Sequence, residues 1–421
     1  MNERDAVSWL HRAAGFGLPV EELRAAVDRG AAAEIERLLD PAGAGMVPTD
    51  DPWDDTLLPH DPKDRAARTH AIGAWLGHLA RTEQPVVDRM VWFWHGHLVS
   101  GMEKVRVARL MVEQIRLFRQ HAMGSFPALL NAVTLDPAMM IYLDLRTSTG
   151  SDPNENFARE LMELFALGEG QYTEADVQAA AVALTGWVYR PAVGVQFARR
   201  LHDDTPQTLL GTDGVHDLDG VLATVLAHPA VASFVAGSLA EDVLGTTAEK
   251  VVAPLADAFA GSGFDVRALV RAVLEAGVGG AAQPVVLAPV PWLTQALRVC
   301  SARLLGDGDV RDAARLLREA GQLPMLPPNV AGWPGGAAWF GAGGLVARAN
   351  LASIVASRAE HPEVLEAAGG ADHDRLAEAL CLPTAGFSEQ TKAALDAAQS
   401  GAARLAAALV SPEFTIVEAP R

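Results

Sequence analysis

Pro153-Asn154-Glu155-Asn156-Phe157-Ala158-Arg159-Glu160-Leu161-Met162-Glu163-Leu164-Phe165 reads as a helix carrying an unusual density of polar groups. A step of about 100° per residue gathers Phe157, Leu161, Leu164 and Phe165 on one apolar face. Asn156, Glu160 and Glu163 follow one another at i, i+4 and i+7 on the other side, Arg159 lies beside them and Glu155 falls at the flank. Asp152 suits the cap and Pro153 the first turn. Asn is a mediocre helix former, so two of them near a helix start imply a task beyond covering a surface. Arg159, Glu160 and Glu163 are therefore candidate catalytic groups, and Asn154, Glu155 and Asn156 candidate substrate contacts.

Working outward, most of the chain carries the same helical spacing between Gly- and Pro-rich turns. Three long helices are predicted over roughly 62–82, 84–97 and 104–122, and another from Thr173 to Trp187, opened by Thr173-Glu174-Ala175-Asp176. Residues 40–60 are rich in Pro and Asp and lack periodicity, which predicts a loop or lid. Only 188–212 alternates as a strand would, through Val193, Val195 and Phe197. The expected fold is all-α: a large multi-helical domain with room for two lobes and one short β-hairpin near 188–212. Three segments are expected within it: a helical hairpin and loop over 1–60, a central helical part over 61–276 that holds the polar blocks, and a C-terminal helical part over 277–421.

The 421 residues carry a net charge of −18. That balance argues against a nucleic-acid partner, which needs a basic stripe to displace counterions, and against an anionic membrane surface. No run of apolar residues is long enough for a membrane span, and no export signal is legible, so the chain as written is expected to be soluble and cytoplasmic. Cys300 and Cys381 fall in helical apolar patterns and are expected as buried free thiols.

Three further blocks could carry chemistry. In Trp92-Phe93-Trp94-His95-Gly96-His97 the two histidines would meet on one metal if the helix loosened at Gly96; in an unbroken helix they point about 200° apart. The alternative is that both are core residues. His202-Asp203-Asp204 on a hairpin loop suits metal ligation or a general base with its orienting partner, Asp203 being the catalytic candidate; the alternative is a simple turn. Pro327-Pro328-Asn329-Val330-Ala331-Gly332-Trp333-Pro334-Gly335-Gly336 could wall a pocket with Trp333 and Trp339 and place the Asn329 amide inside it, or plug the helical core. There is no His-Glu-x-x-His, no phosphate-binding glycine loop, no Gly-x-Ser-x-Gly and no Cys-x-x-Cys.

Taken in order, these blocks resemble the bacterial family known as domain of unknown function 1800. The resemblance runs through Arg12 to Gly17, Phe93 to His97, Pro153 to Leu161, Tyr172 to Val177, Leu184 to Trp187, His202-Asp203, Pro327 to Gly336 and Ser411 to Phe414. Two positions depart from it: Gln207 where a Lys is common, and Gly96 where Asn is frequent. The resemblance implies no assigned chemistry. It does imply a partner of the family known as domain of unknown function 1501, whose members tend to carry twin-arginine signals, and hence export as that partner's passenger.

Three functional readings follow. The first is metal-assisted hydrolysis, with His95, His97, Glu160 and His202 on a divalent metal that activates water. The second is a metal-free carbohydrate-active protein using paired carboxylates and tryptophan platforms. The third is a non-enzymatic assembly partner in which the polar helix is a buried hydrogen-bond network.

Overall fold

The computed structural model describes residues 2–46 and 50–420. Among them 23 α-helices are joined by short turns, with three two-stranded sheets at the margins. The all-α expectation holds. The long helices lie at Arg65–Arg81, Pro85–His97 and Ala108–His121, the last preceded by a short Met102–Val105 turn of helix. The polar motif forms a helix over Asn156–Glu160 that continues as a π-helix over Leu161–Ala166. Thr173 and Asp176 form the reciprocal cap of the Glu174–Ala183 helix.

The hairpin expected near 188–212 is present as Trp187–Arg190 paired with Gly194–Phe197. A second hairpin follows at once, Gln207–Leu209 against Thr212–Val215, where the sequence reading had placed only one. Its turn is Leu210-Gly211, with both residues in the left-handed region, a conformation that the alternation of apolar residues does not reveal. The third pairing joins Val285–Val286 to Ile416–Val417. Of the loop expected over 40–60, residues 47–49 lie outside the described residues. Its remainder is anchored by the Trp53 indole N–H on the Ala71 carbonyl (3.0 Å) and by Asp51 and Asp55 on Arg116 (2.7 and 2.9 Å).

One hydrophobic core runs from Ala6 to Val417, with Trp75, Trp94 and Trp292 fully buried. The two ends of the chain meet in it. Arg12, on the first helix (Glu3–Ala13), is 2% exposed and donates to the carbonyls of Glu413, Phe414 and Ile416 at 2.9, 2.9 and 3.2 Å. Burial holds its pKa down at about 10, still charged at neutral pH. Cys300 and Cys381 are free and buried, as expected. No single helix among the described residues is long and apolar enough to cross a membrane.

The proline- and tryptophan-rich loop closes over the Pro85–His97 helix. The Met325 amide donates to His95 Nε2 (3.1 Å), and the Met325 carbonyl accepts from the Met102 amide (2.8 Å). Trp333 stacks on Trp92 with ring centres 5.3 Å apart. Gly332 has φ +81°, and a Cβ there would stand 2.5 Å from the Gly96 carbonyl oxygen, so only glycine lets the loop come this close. The loop is thus in large part the plug that its sequence allows.

A half-buried carboxylate cluster as the candidate functional site

Within the polar motif nearly every group is tied to the fold. Asn154 Oδ1 accepts from the Asn156 amide (3.0 Å), and the Asn154 amide donates to Ser148 Oγ (3.0 Å), a local turn that starts the helix. Asn156 Nδ2 donates to Asp144 Oδ2 (3.1 Å), which also pairs with Lys104 Nζ (2.6 Å). Asp144 sits at φ 61°, a left-handed position that Asp tolerates better than most residues. Arg159 bridges Glu155 (3.1 Å), one turn back, and Glu174 (2.7 Å), at the start of the following helix. The Glu174 bonds raise the guanidinium's pKa, and in return Arg159 lowers that of Glu174. Glu163 accepts a short hydrogen bond from the Tyr172 hydroxyl.

Glu160 is the exception. It is half-buried and makes no hydrogen bond among the described residues. Its pKa is raised, first by desolvation and then by the charge of Glu163, with Arg159 acting against both. Tyr142, 9% exposed, stands close enough to feel Glu160 and Glu103; burial and those two charges push its pKa up to about 12. Burial and the Glu163 bond raise that of Tyr172 as well. The cluster therefore holds one carboxyl whose pKa is raised, a second held by a phenol, and another phenol within electrostatic reach.

The π-helix that follows positions the far end of the motif. Its final carbonyls have no partner within the helix, and that of Phe165 faces His97 Nε2 at 3.0 Å. His97 lies between Phe93 and Phe234, with ring centres at 5.5 and 5.8 Å, and burial lowers its pKa to about 4. His95 points elsewhere, among Trp75, Trp92 and Trp333, with its pKa lowered to about 3 by burial alone. The Pro85–His97 helix does not loosen at Gly96, so the two rings diverge as an α-helix requires.

His202 Nδ1 lies 3.0 Å from the Thr185 carbonyl, and the Asp203 amide donates to Thr185 Oγ1 (3.0 Å). Asp203 Oδ1 accepts from the Thr205 amide (3.0 Å), a turn whose bonds lower the carboxyl's pKa. At Gly186, φ +90°, a Cβ would come within 2.8 Å of His202 Cβ, which shows how tightly this loop is seated. The segment leading into this loop also touches the turn before the motif helix, through the Gly150 amide on the Leu201 carbonyl (2.7 Å). Residues 9–416 match the family described as "Protein of unknown function (DUF1800)". The chain belongs to this family. No curated protein and no solved structure matches it.

For this DUF1800 member, the expected metal tetrad does not assemble. His95, His97 and His202 are each held at a different backbone group, away from a common point with Glu160. Among the described residues no group of three or more His, Cys, Asp or Glu side chains is placed to hold a metal ion. Asn329 turns its side-chain oxygen onto its own loop, accepting from the Ala331 amide (2.9 Å). Trp333 and Trp339 line a cleft, but Glu155, Glu160 and Asp203 are not among its walls. Nothing in the sequence pattern marks Tyr142, Asp144 or Lys104 for the site, and Tyr172 stands out only within a block of the family resemblance. The one usable signal was Tyr172 directly before a capping box, which fixes it at the mouth of a helix next to the motif.

Proposed function

We propose that this protein is a hydrolase working by acid–base catalysis, with Glu160 as the general acid and Glu163 as its charged neighbour. The observation that carries this reading is Glu160: a half-buried carboxyl without a hydrogen-bond partner, in a motif whose other polar groups are all engaged. Two carboxyls in unlike environments divide naturally into a proton donor and a charged partner. Arg159 and Tyr172 act as positioning residues, the first holding the helix start and the second aiming Glu163.

The test is a panel of p-nitrophenyl esters, phosphates and glycosides offered to the wild-type chain and to Glu160→Gln. Turnover of one substrate class is expected. Loss of the acid should lower kcat/KM by roughly 10²–10⁴-fold, with a melting temperature no lower than that of the wild type.

The bridging of Arg159 to both Glu155 and Glu174 favours a second reading, a non-enzymatic assembly partner for a protein of the domain of unknown function 1501 family. In that case no substrate is turned over, Arg159→Gln, which breaks both bridges, lowers the melting temperature, and the two chains co-purify when expressed together.

A further inference from the structure

A pocket of about 480 Å³ opens beside the Met102–Val105 helix, between the loop of His60 and Pro62, the Leu145–Thr147 turn and the hairpin of Trp187–Arg190 and Gly194–Phe197. Its volume falls within the roughly 300–1,000 Å³ of small-molecule pockets. The lining divides in two. Pro62 and Pro191, both exposed, and Val107 and Tyr189, both half-buried, offer apolar surface that a ligand can reach. Lys104, Arg106 and Arg146 stand exposed on the same walls.

Lys104 is paired with Asp144, but Arg106 and Arg146 pair with no carboxylate among the described residues. The one carboxylate among the described lining residues, Glu103, is turned back on the start of its own helix, where a Cβ on Gly101 would stand 2.7 Å from Glu103 Oε1. Arg106 decides the reading. It sits at φ 65°, a left-handed conformation that glycine or asparagine takes with less strain. Its backbone is pinned there: the amide donates to the Met102 carbonyl (3.1 Å), and the carbonyl accepts from Arg68 Nη2 (3.1 Å). Strain of this kind gathers where a side chain has a task. For an exposed, unpaired guanidinium on the wall of a pocket, that task is to hold an anion.

We infer that this pocket binds an amphiphilic anion, an apolar body that carries one phosphate or carboxylate group. A guanidinium offers either group a fork of donors. An organic cation would meet like charge on Lys104, Arg106 and Arg146. A bare inorganic anion would use the arginines and leave the proline, valine and tyrosine surface in water. The assignment rests on this pocket alone and does not depend on the reading of Glu160.

The full chain is titrated by calorimetry at low salt with benzylphosphonate, phenylacetate, benzyl alcohol, inorganic phosphate and benzyltrimethylammonium. At least one of the two aromatic anions should bind more tightly than the last three compounds, and the tighter of the two names the head group. Arg106→Gly, which suits the left-handed backbone, should melt no lower than wild type. It should bind that anion about tenfold more weakly, the lower end for a hydrogen bond between charged partners. Arg146→Gln, at an exposed position, should weaken binding several-fold. Failure of both aromatic anions to bind, equally tight binding of any of the other three, or full affinity in both variants overturns the assignment.

Discussion

The junction of His95, Trp92 and Trp333 and the cluster around Glu160 are built from dense blocks of sequence, yet they leave their spare polar atoms in different places. At the junction His95 Nε2 takes the Met325 amide, Trp333 covers Trp92 and Gly332 lies against the Gly96 carbonyl, and the atoms left over, His95 Nδ1 and the Trp333 N–H, are sealed inside. In the cluster Arg159, Asn156 and Glu163 are satisfied, while the half-buried Glu160 carboxyl is left without a bond. A group that the fold leaves unpaired in a partly dry place is a better pointer to chemistry than the richness of its motif.

Four measurements break or sharpen that contrast. Gly332→Val should be the most damaging, because it sets a β-branched side chain at positive φ against a backbone oxygen; a loss of about 3 kcal/mol or more is expected in a urea melt. A melt close to wild type would show that the junction is not tight.

The second concerns acid. The folded pKa of His97 is lowered to about 4 from the 6.5 of a free side chain, so its contribution is present above 6.5 and is lost as pH falls toward 4. The loss amounts to about 2–3 kcal/mol by linkage. His97→Gln should flatten the stability curve between those pH values while keeping a donor for the Phe165 carbonyl; an unchanged slope would remove His97 as the cause.

Third, Tyr172→Phe deletes the bond to Glu163 and should cost roughly 1.5–2 kcal/mol, as for hydrogen bonds to charged acceptors. The smallest stability effect belongs to Glu160→Gln. Because the Glu160 pKa is raised, its ionisation works against the fold as pH rises through that pKa. The variant should therefore melt no lower than wild type at pH 5 and gain relative to it at pH 8. A large drop in its melting temperature would place Glu160 with the junction residues.

Helix spacing made the all-α fold readable, since Phe157, Leu161 and Phe165 of the expected apolar face are buried; Leu164 is only half-buried and Met162, read at the flank, is buried instead, because the helix widens to a π-helix from Leu161. What failed was the inference at Gly96, read as a point where the helix could loosen. The helix continues through His97, and the contact of Gly332 with the Gly96 carbonyl is a long-range event without local trace. Tyr142 and Asp144 were equally hidden. They meet Glu160 and Asn156 only because the chain turns through a left-handed residue at Asp144, which no periodic pattern marks. Of the candidate site, the motif helix was legible and its neighbours were not.

The π-helical segment Leu161–Ala166 works as a phase setting between two halves of the molecule. It divides a rod whose first half carries Glu160 from a second half whose end meets His97. Its i→i+5 bonds take more residues per turn than the α-helix before it, so the side chains after Glu160 leave the 100° spacing of an α-helix. That change of pitch places the Phe165 carbonyl on His97 while Glu160 stays on the α-helical half.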